Sequence, residues 1–263
     1  MKIFIYDSAK LIKYAAAVAA AILAVIFFCL GGGKAVGVFN AEKELPIYSV
    51  DTAGKKASIT FDCAWGDDDI PNILQSLEKA DVKATFFIVG QWAEKYPDKV
   101  SMISAAGHDV ANHSYSHLRM GSLDKSRIMD EIVKANKLLE KITGTKIDLF
   151  RPPYGDYNNS VVLSARELGY YTIQWNVDSL DWKPDISRET IMSRIRDKVI
   201  PGSIILFHND TQHTAKMLPD VISTLKGMGY EMVPVSQLII RENYIIDNEG
   251  RQKNAGGPPT NKN

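Results

Sequence analysis

Cysteine is nearly absent from this 263-residue chain, which has 2, Cys29 and Cys63. That excludes the disulfide framework on which small secreted domains depend, so any folded region must be held by its own apolar core. Charge of one sign is missing as well. The 31 basic residues balance 31 acidic ones, which argues against a nucleic-acid-binding surface, since that would show as a basic excess or stripe. No internal repeat is visible, which excludes a solenoid array. A lipid-modified cysteine is excluded too, because Phe27-Phe28-Cys29 lacks the small residue expected before one.

What the N-terminus does have is an unbroken apolar run from Tyr14 to Leu30, extended by Gly31 to Gly33 and preceded by Lys2, Lys10 and Lys13. It is longer than the ~7–15 apolar residues of a signal-peptide core and close to the ~20 that span a bilayer as a helix. We read residues 14–33 as an uncleaved transmembrane signal anchor in the cell membrane. The lysines ahead of it place residues 1–13 in the cytoplasm and the rest of this single-pass chain outside. Cleavage near Ala41 and a buried core helix are the alternatives. Residues 34–54 read as a tether and lead-in, and 55–245 as the folded domain. Residues 246–263 read as a disordered tail, since they end in the polar, Gly/Pro-rich Asn254-Ala-Gly-Gly-Pro-Pro-Thr-Asn-Lys-Asn.

From Ala57 onward, apolar runs of strand length alternate with amphipathic stretches, the arrangement of a parallel α/β sheet or barrel. Strands are expected at Ala57–Phe61, Ala84–Val89, Asp109–Asn112, Asp148–Arg151, Tyr171–Val177, Ser203–His208 and Glu231–Val235. Helices are expected at Ile70–Lys79, Gln91–Ala106, Asp124–Ile142, Ser160–Leu168, Arg188–Val199 and Ala215–Met228. In the third of these, Ile128, Ile132, Ala135, Leu138 and Leu139 recur at helical spacing with charges opposite. Gly107, Gly144, Gly169 and Gly229 stand where helices should stop. Strand and helix in alternation, 7 strand candidates in all, suggest an irregular barrel.

Five polar motifs punctuate the ends of these runs: Thr60-Phe61-Asp62-Cys63-Ala64-Trp65-Gly66, His113-Ser114-Tyr115-Ser116-His117, Arg151-Pro152-Pro153-Tyr154-Gly155, Asp178-Ser179-Leu180-Asp181-Trp182 and Leu206-Phe207-His208. His113 and His117, four apart, would lie on one side of a helical turn and could share a metal ion; solvated or packed imidazoles are the plainer alternative. Asp62 and His208 each end a strand-like run, where barrel enzymes carry their chemistry. Asp62 could equally cap a loop, and His208 could be structural. Cys63 is either a thiolate ligand, which would favour zinc, or a small buried filler. Asp67, Asp68 and Asp69 read as a solvated loop or helix start, and His108 and His213 as surface or satisfied histidines. The two prolines after Arg151 stiffen its exit from the strand.

In this order the motifs resemble those of the polysaccharide deacetylases, the NodB homology domain of carbohydrate esterase family 4, over roughly Ile47 to Arg241. The resemblance implies a distorted seven-stranded (β/α) barrel that removes N-acetyl groups from a cell-wall sugar polymer, peptidoglycan or a relative. It implies a divalent metal, zinc above others, held by His113 and His117. Asp62 becomes the general base, steadied by Arg151, and His208 the general acid, tuned by Asp181. Tyr154 would lie on the groove floor with its backbone amide as oxyanion donor, a contact worth roughly 3–4 kcal/mol. Trp182 and Leu206 would wall the acetyl pocket. One departure stands out: the family's second Asp, a metal ligand, is Cys63 here. The Trp65-Gly66 ending and the Glu44-Leu45-Pro46-Ile47-Tyr48 lead-in are similar to a sporulation-associated subgroup. Two other readings stay open: a weak or inactive wall-binding homologue that has lost its metal, and an O-acetyl esterase using the same residues.

Overall fold

The run Lys56-Ala-Ser-Ile-Thr-Phe-Asp-Cys63 is apolar at odd positions and carries Ser58, Thr60 and Asp62 between them. A strand with that alternation can pack one row of side chains against helices and turn the other into a barrel. In the computed structural model, which describes residues 8–30 and 43–256, it does both. Two units separate by contact, Met1–Glu42 and Lys43–Asn263. The first contains helix α1 (Ser8–Leu30), whose described apolar side chains, Ile12, Val18 and Leu23 among them, are exposed. Among the described residues no helix is long and apolar enough to cross a membrane.

The strands of the second unit, in chain order, are β1 (Ser49–Val50), β2 (Lys56–Cys63), β3 (Thr85–Ile88), β4 (Asp109–Asn112), β5 (Leu149–Phe150), β6 (Tyr171–Thr172), β7 (Val177–Asp178), β8 (Ser203–His208), β9 (Glu231–Met232), β10 (Tyr244–Ile246) and β11 (Arg251–Asn254). Its helices are α2 (Ile70–Lys79), α3 (Gly90–Lys95), α4 (Pro97–Ala105), α5 (Lys125–Thr143), α6 (Asn159–Glu167), α7 (Arg188–Lys198), α8 (Thr214–Gly227) and α9 (Val235–Leu238). β2 is central, parallel to β3 on one side and to β8 on the other, with Asp62 level with His208. β3, β4, β5 and β6 follow in parallel.

The strand expected at Tyr171–Val177 is interrupted. Its start pairs with β5 and its end with β8, while Ile47 of the lead-in bridges Ile173 between them. The Ile47 amide donates to the Thr172 carbonyl, and the Gln174 amide to that of Ile47. Closure of the barrel thus runs through a bent, two-part strand, which is the distortion. The lead-in part of 34–54 is itself folded: Ile47 and Val50 are buried, and β1 pairs with β8 and β11, while residues 34–42 lie outside those described. The disordered tail is corrected. β10 and β11 form an antiparallel pair, so the folded unit continues past residue 245, and residues 257–263 lie outside those described. Two smaller corrections have proline as their cause. Pro97 divides the helix expected at 91–106 into α3 and α4, and the strand expected to end at Val235 stops at Met232, ahead of Pro234 and α9.

The largest apolar cluster lies between the sheet and its helices, with Ile59, Phe61 and Cys63 facing Ile70, Leu77, Leu218 and Val221. A second fills the barrel around Phe87, Ala111, Ile173 and Ile204. Ser58 and Thr60 survive inside because each hydroxyl donates to a carbonyl, of Val233 and Ile205 respectively.

Candidate active site at the ends of the strands

Asp62 ends the inward row of β2, and Arg151, leaving β5, reaches it across the barrel. The guanidinium is fully buried. It donates from Nη1 to Asp62 Oδ1 at 2.6 Å and to Thr60 Oγ1 at 2.9 Å, and from Nη2 to the Gln174 carbonyl at 3.2 Å. It also lies on the Phe87 ring, 3.9 Å from its centroid. Burial would raise the Asp62 pKa, but the charge of Arg151 and its hydrogen bond, together with the charge of His208, outweigh it and hold the carboxyl below its ordinary value. Asp62 is thus an ionised base with one oxygen occupied by Arg151.

His113 and His117 follow β4, but not on a helix as their spacing suggested. The segment is a turn in which Ser114 and His117 have positive φ, 61° and 54°, and the turn brings the two rings to a centroid distance of 5.1 Å. His113 Nδ1 lies 2.8 Å from the Arg151 carbonyl; that oxygen can only accept, which leaves Nε2 bare, 3.4 Å from Asp62 Oδ2. Burial lowers the pKa of both imidazoles, His117 to about 3, so both are neutral at physiological pH.

His208 ends β8 beside Asp62. Its Nδ1 lies 2.8 Å from Asp181 Oδ1, and its amide donates to Asp181 Oδ2 at 2.8 Å. Thr214 at the start of α8 donates to the same Oδ2 at 2.5 Å. Burial alone would lower the imidazole pKa, yet the bond to Asp181 and its charge, with those of Asp62 and Asp178, raise it above 6.5. The base and the acid share one cavity of 460 Å³, lined also by His113, His117, Trp182 and Leu206. Tyr154 stands at its rim rather than its floor: φ is 61°, the side chain is 54% exposed, and the ring packs on His117 at 4.5 Å. His108 and His213 are satisfied elsewhere, by the Ala84 amide and the Ile186 carbonyl.

Cys63 is not brought to the imidazole pair. It follows Asp62 on β2, so it points to the other face, fully buried in the helix-facing cluster. Burial and the nearby charges of Asp62 and Asp69 push its thiol pKa well up, so no thiolate is offered. Two neutral imidazoles suit a divalent ion, but a catalytic zinc site takes three protein ligands. Among the described residues no group of three His, Cys, Asp or Glu side chains is placed to hold one ion. The residues present therefore do not fit a three-ligand catalytic metal site, and of the two readings of Cys63 its burial in the apolar cluster fits the small filler rather than the thiolate ligand.

The sequence reading missed Glu131. This carboxylate on α5 is 2% exposed and accepts from the amides of Tyr115 and Ser116 and from the Ser116 hydroxyl, at 3.1, 2.7 and 3.1 Å. Arg127 one turn earlier completes its environment at 3.0 Å. It ties down the turn between the two histidines. A signal was available: Glu131 interrupts the apolar face formed by Ile128, Ile132, Ala135 and Leu139.

The Polysaccharide deacetylase family profile matches residues 49–173. Over 187 residues the chain is 33% identical to the peptidoglycan-N-acetylglucosamine deacetylase of Bacillus cereus, covering 70% of this chain and 68% of that one. It is 34% identical to the uncharacterized protein YlxY of Bacillus subtilis, over 74% of this chain, and spans 60% of the length of that relative. Among solved structures, a Bacillus anthracis protein described as a CE4 family pseudoenzyme superposes with a TM-score of 0.71 at 36% identity, covering 74% of this chain and 69% of that one. A mutant of it described as having restored enzymatic activity superposes equally well. Fold, motif order and sequence identity together make this chain a member of the polysaccharide deacetylase family, hydrolases of carbon–nitrogen bonds whose deacetylases are generally metal-dependent.

Proposed function

We propose that this chain acts on N-acetylated wall polysaccharide, peptidoglycan first, and hydrolyses its acetamide groups. The observation that carries the reading is the placement, across one cavity, of a carboxylate bonded by Arg151 and an imidazole whose acid form is favoured by its bond to Asp181. Asp62 Oδ2 accepts a proton from water as the water oxygen bonds to the acetyl carbon. His208 Nε2, free because Nδ1 faces Asp181, gives its proton to the sugar nitrogen as the carbon–nitrogen bond breaks; acetate and a free amine result. Trp182 and Leu206 hold the methyl group. Because the residues present do not complete a metal site, no step here is assigned to a metal.

Acetate release from peptidoglycan tests the reading, with His208→Ala and Asp62→Asn expected to abolish it while glycan binding persists. Retained release in both variants would overturn it. Acetylxylan in a parallel arm separates amide from ester hydrolysis. A second reading, glycan binding with little or no turnover, is favoured by one observation, the burial of Cys63 away from the imidazoles. Wild-type binding without acetate release, with or without added zinc, would select it.

We further infer that residues 14–33 anchor the chain as a single-pass protein of the cell membrane with the barrel outside, on the strength of the apolar run and the lysines before it. A link to sporulation rests on the Trp65-Gly66 and lead-in resemblance. Release of the chain from membranes by salt wash alone would count against the anchor.

A further inference from the structure

Arg151 has an anchor besides Asp62 and Thr60. Nη1 donates to both of those, which lie on β2, while Nη2 donates to the Gln174 carbonyl at 3.2 Å. Nε is buried without a partner, so among the described residues the Gln174 carbonyl is the single acceptor holding the far side of the guanidinium. Gln174 lies in the break between β6 and β7 and belongs to neither strand. In an uninterrupted strand that carbonyl would be taken by a ladder bond to a neighbour. The break leaves it free to face the arginine.

A freed carbonyl orients a guanidinium only if the residue carrying it is itself held. The lead-in supplies that hold. Ile47 brackets the break, its amide donating to the Thr172 carbonyl at 2.8 Å and its carbonyl accepting from the Gln174 amide at 2.7 Å. The Ile47 side chain is buried in the barrel cluster that also contains Phe87 and Ile173, and the Arg151 guanidinium packs over that same Phe87 ring. A hydrogen-bonded path therefore runs from Ile47 through Gln174 and Arg151 to Asp62. Neither Ile47 nor Gln174 lines the cavity in which Asp62 and His208 face each other.

We propose that Ile47 is a positioning residue for the reaction: the lead-in holds Gln174 so that its carbonyl fixes Arg151 on Asp62, and the break in the barrel wall is what joins the two. The proposal rests on the reading of Asp62 as the base, and it gives a catalytic consequence to a segment outside the five motifs. Hydrogen exchange of the Arg151 guanidinium protons reads the coupling without any turnover. It is followed by NMR in the full-length chain, with the signals assigned by their loss in Arg151→Lys. Ile47→Ala should speed that exchange about tenfold, the loss of one charge-assisted bond, and lower kcat for acetate release by a similar factor with KM unchanged. Ile239→Ala makes the same deletion in the same cluster, at a residue bonded to neither Gln174 nor Arg151. It should lower the melting temperature and leave the exchange as in the wild type. If Ile47→Ala does not fold, Ile47→Val, which removes a single methylene at about 1 kcal/mol, carries the same comparison against Ile239→Val. Exchange that is unchanged in the Ile47 variants, or equally fast in the Ile239 variants, overturns the proposal. A wild type that releases no acetate, yet shows the faster exchange in the Ile47 variants alone, overturns the deacetylase reading and leaves the link from Ile47 to Arg151 standing.

Discussion

His208 and Asp181 show what a single bonded pair contributes. Because Asp181 raises the imidazole pKa above 6.5, it favours the protonated acid. The sign for stability follows: the pair contributes most below that value, and its contribution fades as pH rises through the raised pKa of the folded state. Asp181→Asn should therefore move the His208 ring titration, followed by NMR, down in pH, and remove that alkaline loss of stability; an unmoved titration would show that Asp181 is not the cause. Glu131 works through other groups. Glu131→Ala leaves the Tyr115 and Ser116 amides without their acceptor, at about 1–3 kcal/mol for each buried group. Glu131→Gln, which keeps one carbonyl oxygen, should recover most of the melting temperature and of the His113 and His117 ring shifts. For Cys63 the outcomes diverge by substitution. Cys63→Ala should leave zinc affinity in calorimetry unchanged, since the thiol faces the core. Cys63→Asp places a carboxylate in that same apolar cluster, costing more than the ~1–3 kcal/mol of a neutral polar group, and should lower the melting temperature with no gain in zinc affinity. A fall in zinc affinity on Cys63→Ala would reinstate the thiolate.

At the scale of elements, strand ends were the legible part. Asp62, Arg151 and His208 each close an apolar run, and the alternation of Ser58, Thr60 and Asp62 with Ile59, Phe61 and Cys63 places the carboxylate inward and the thiol outward. What escaped was the geometry of turns and breaks. The spacing of His113 and His117 suggests a helical turn, whereas the chain uses positive φ at Ser114 and His117, and nothing in Ser-Tyr-Ser signals that conformation. The gap in 171–178 escaped for a different reason: it is filled by Ile47, more than a hundred residues earlier, and long-range pairing leaves no local periodicity. Gly202 is another turn that the alternation of strand and helix left unmarked. Its φ is 85°, and a Cβ there would lie 1.6 Å from the Val50 carbonyl oxygen, where the Val50 amide also bonds the Gly202 carbonyl. Gly202→Ala should destabilise the fold by more than about 3 kcal/mol, combining left-handed strain with a backbone clash, and a melting curve that matches the wild type would contradict the β1–β8 contact.

For the folded unit as a whole, the boundaries follow from where apolar surface is covered. A fragment spanning 55–241 keeps every motif residue, yet it discards Ile47 and Val50, both buried, along with β10 and β11. The lost lead-in carries the bridge to Ile173 that fills the break between β6 and β7, and Gln252, fully buried, exchanges two hydrogen bonds with Ile240. Uncovering Ile173 and Ile204 at that seam should cost several kcal/mol, since burying one Ile or Val side chain is worth roughly 1.5–3 kcal/mol. Residues 43–256 are therefore expected to give a monodisperse fragment with a single cooperative melt. Residues 55–241 should melt markedly lower, or aggregate, despite identical motif residues. Equal melting temperatures for the two fragments would show that the lead-in and the final strand pair are accessory.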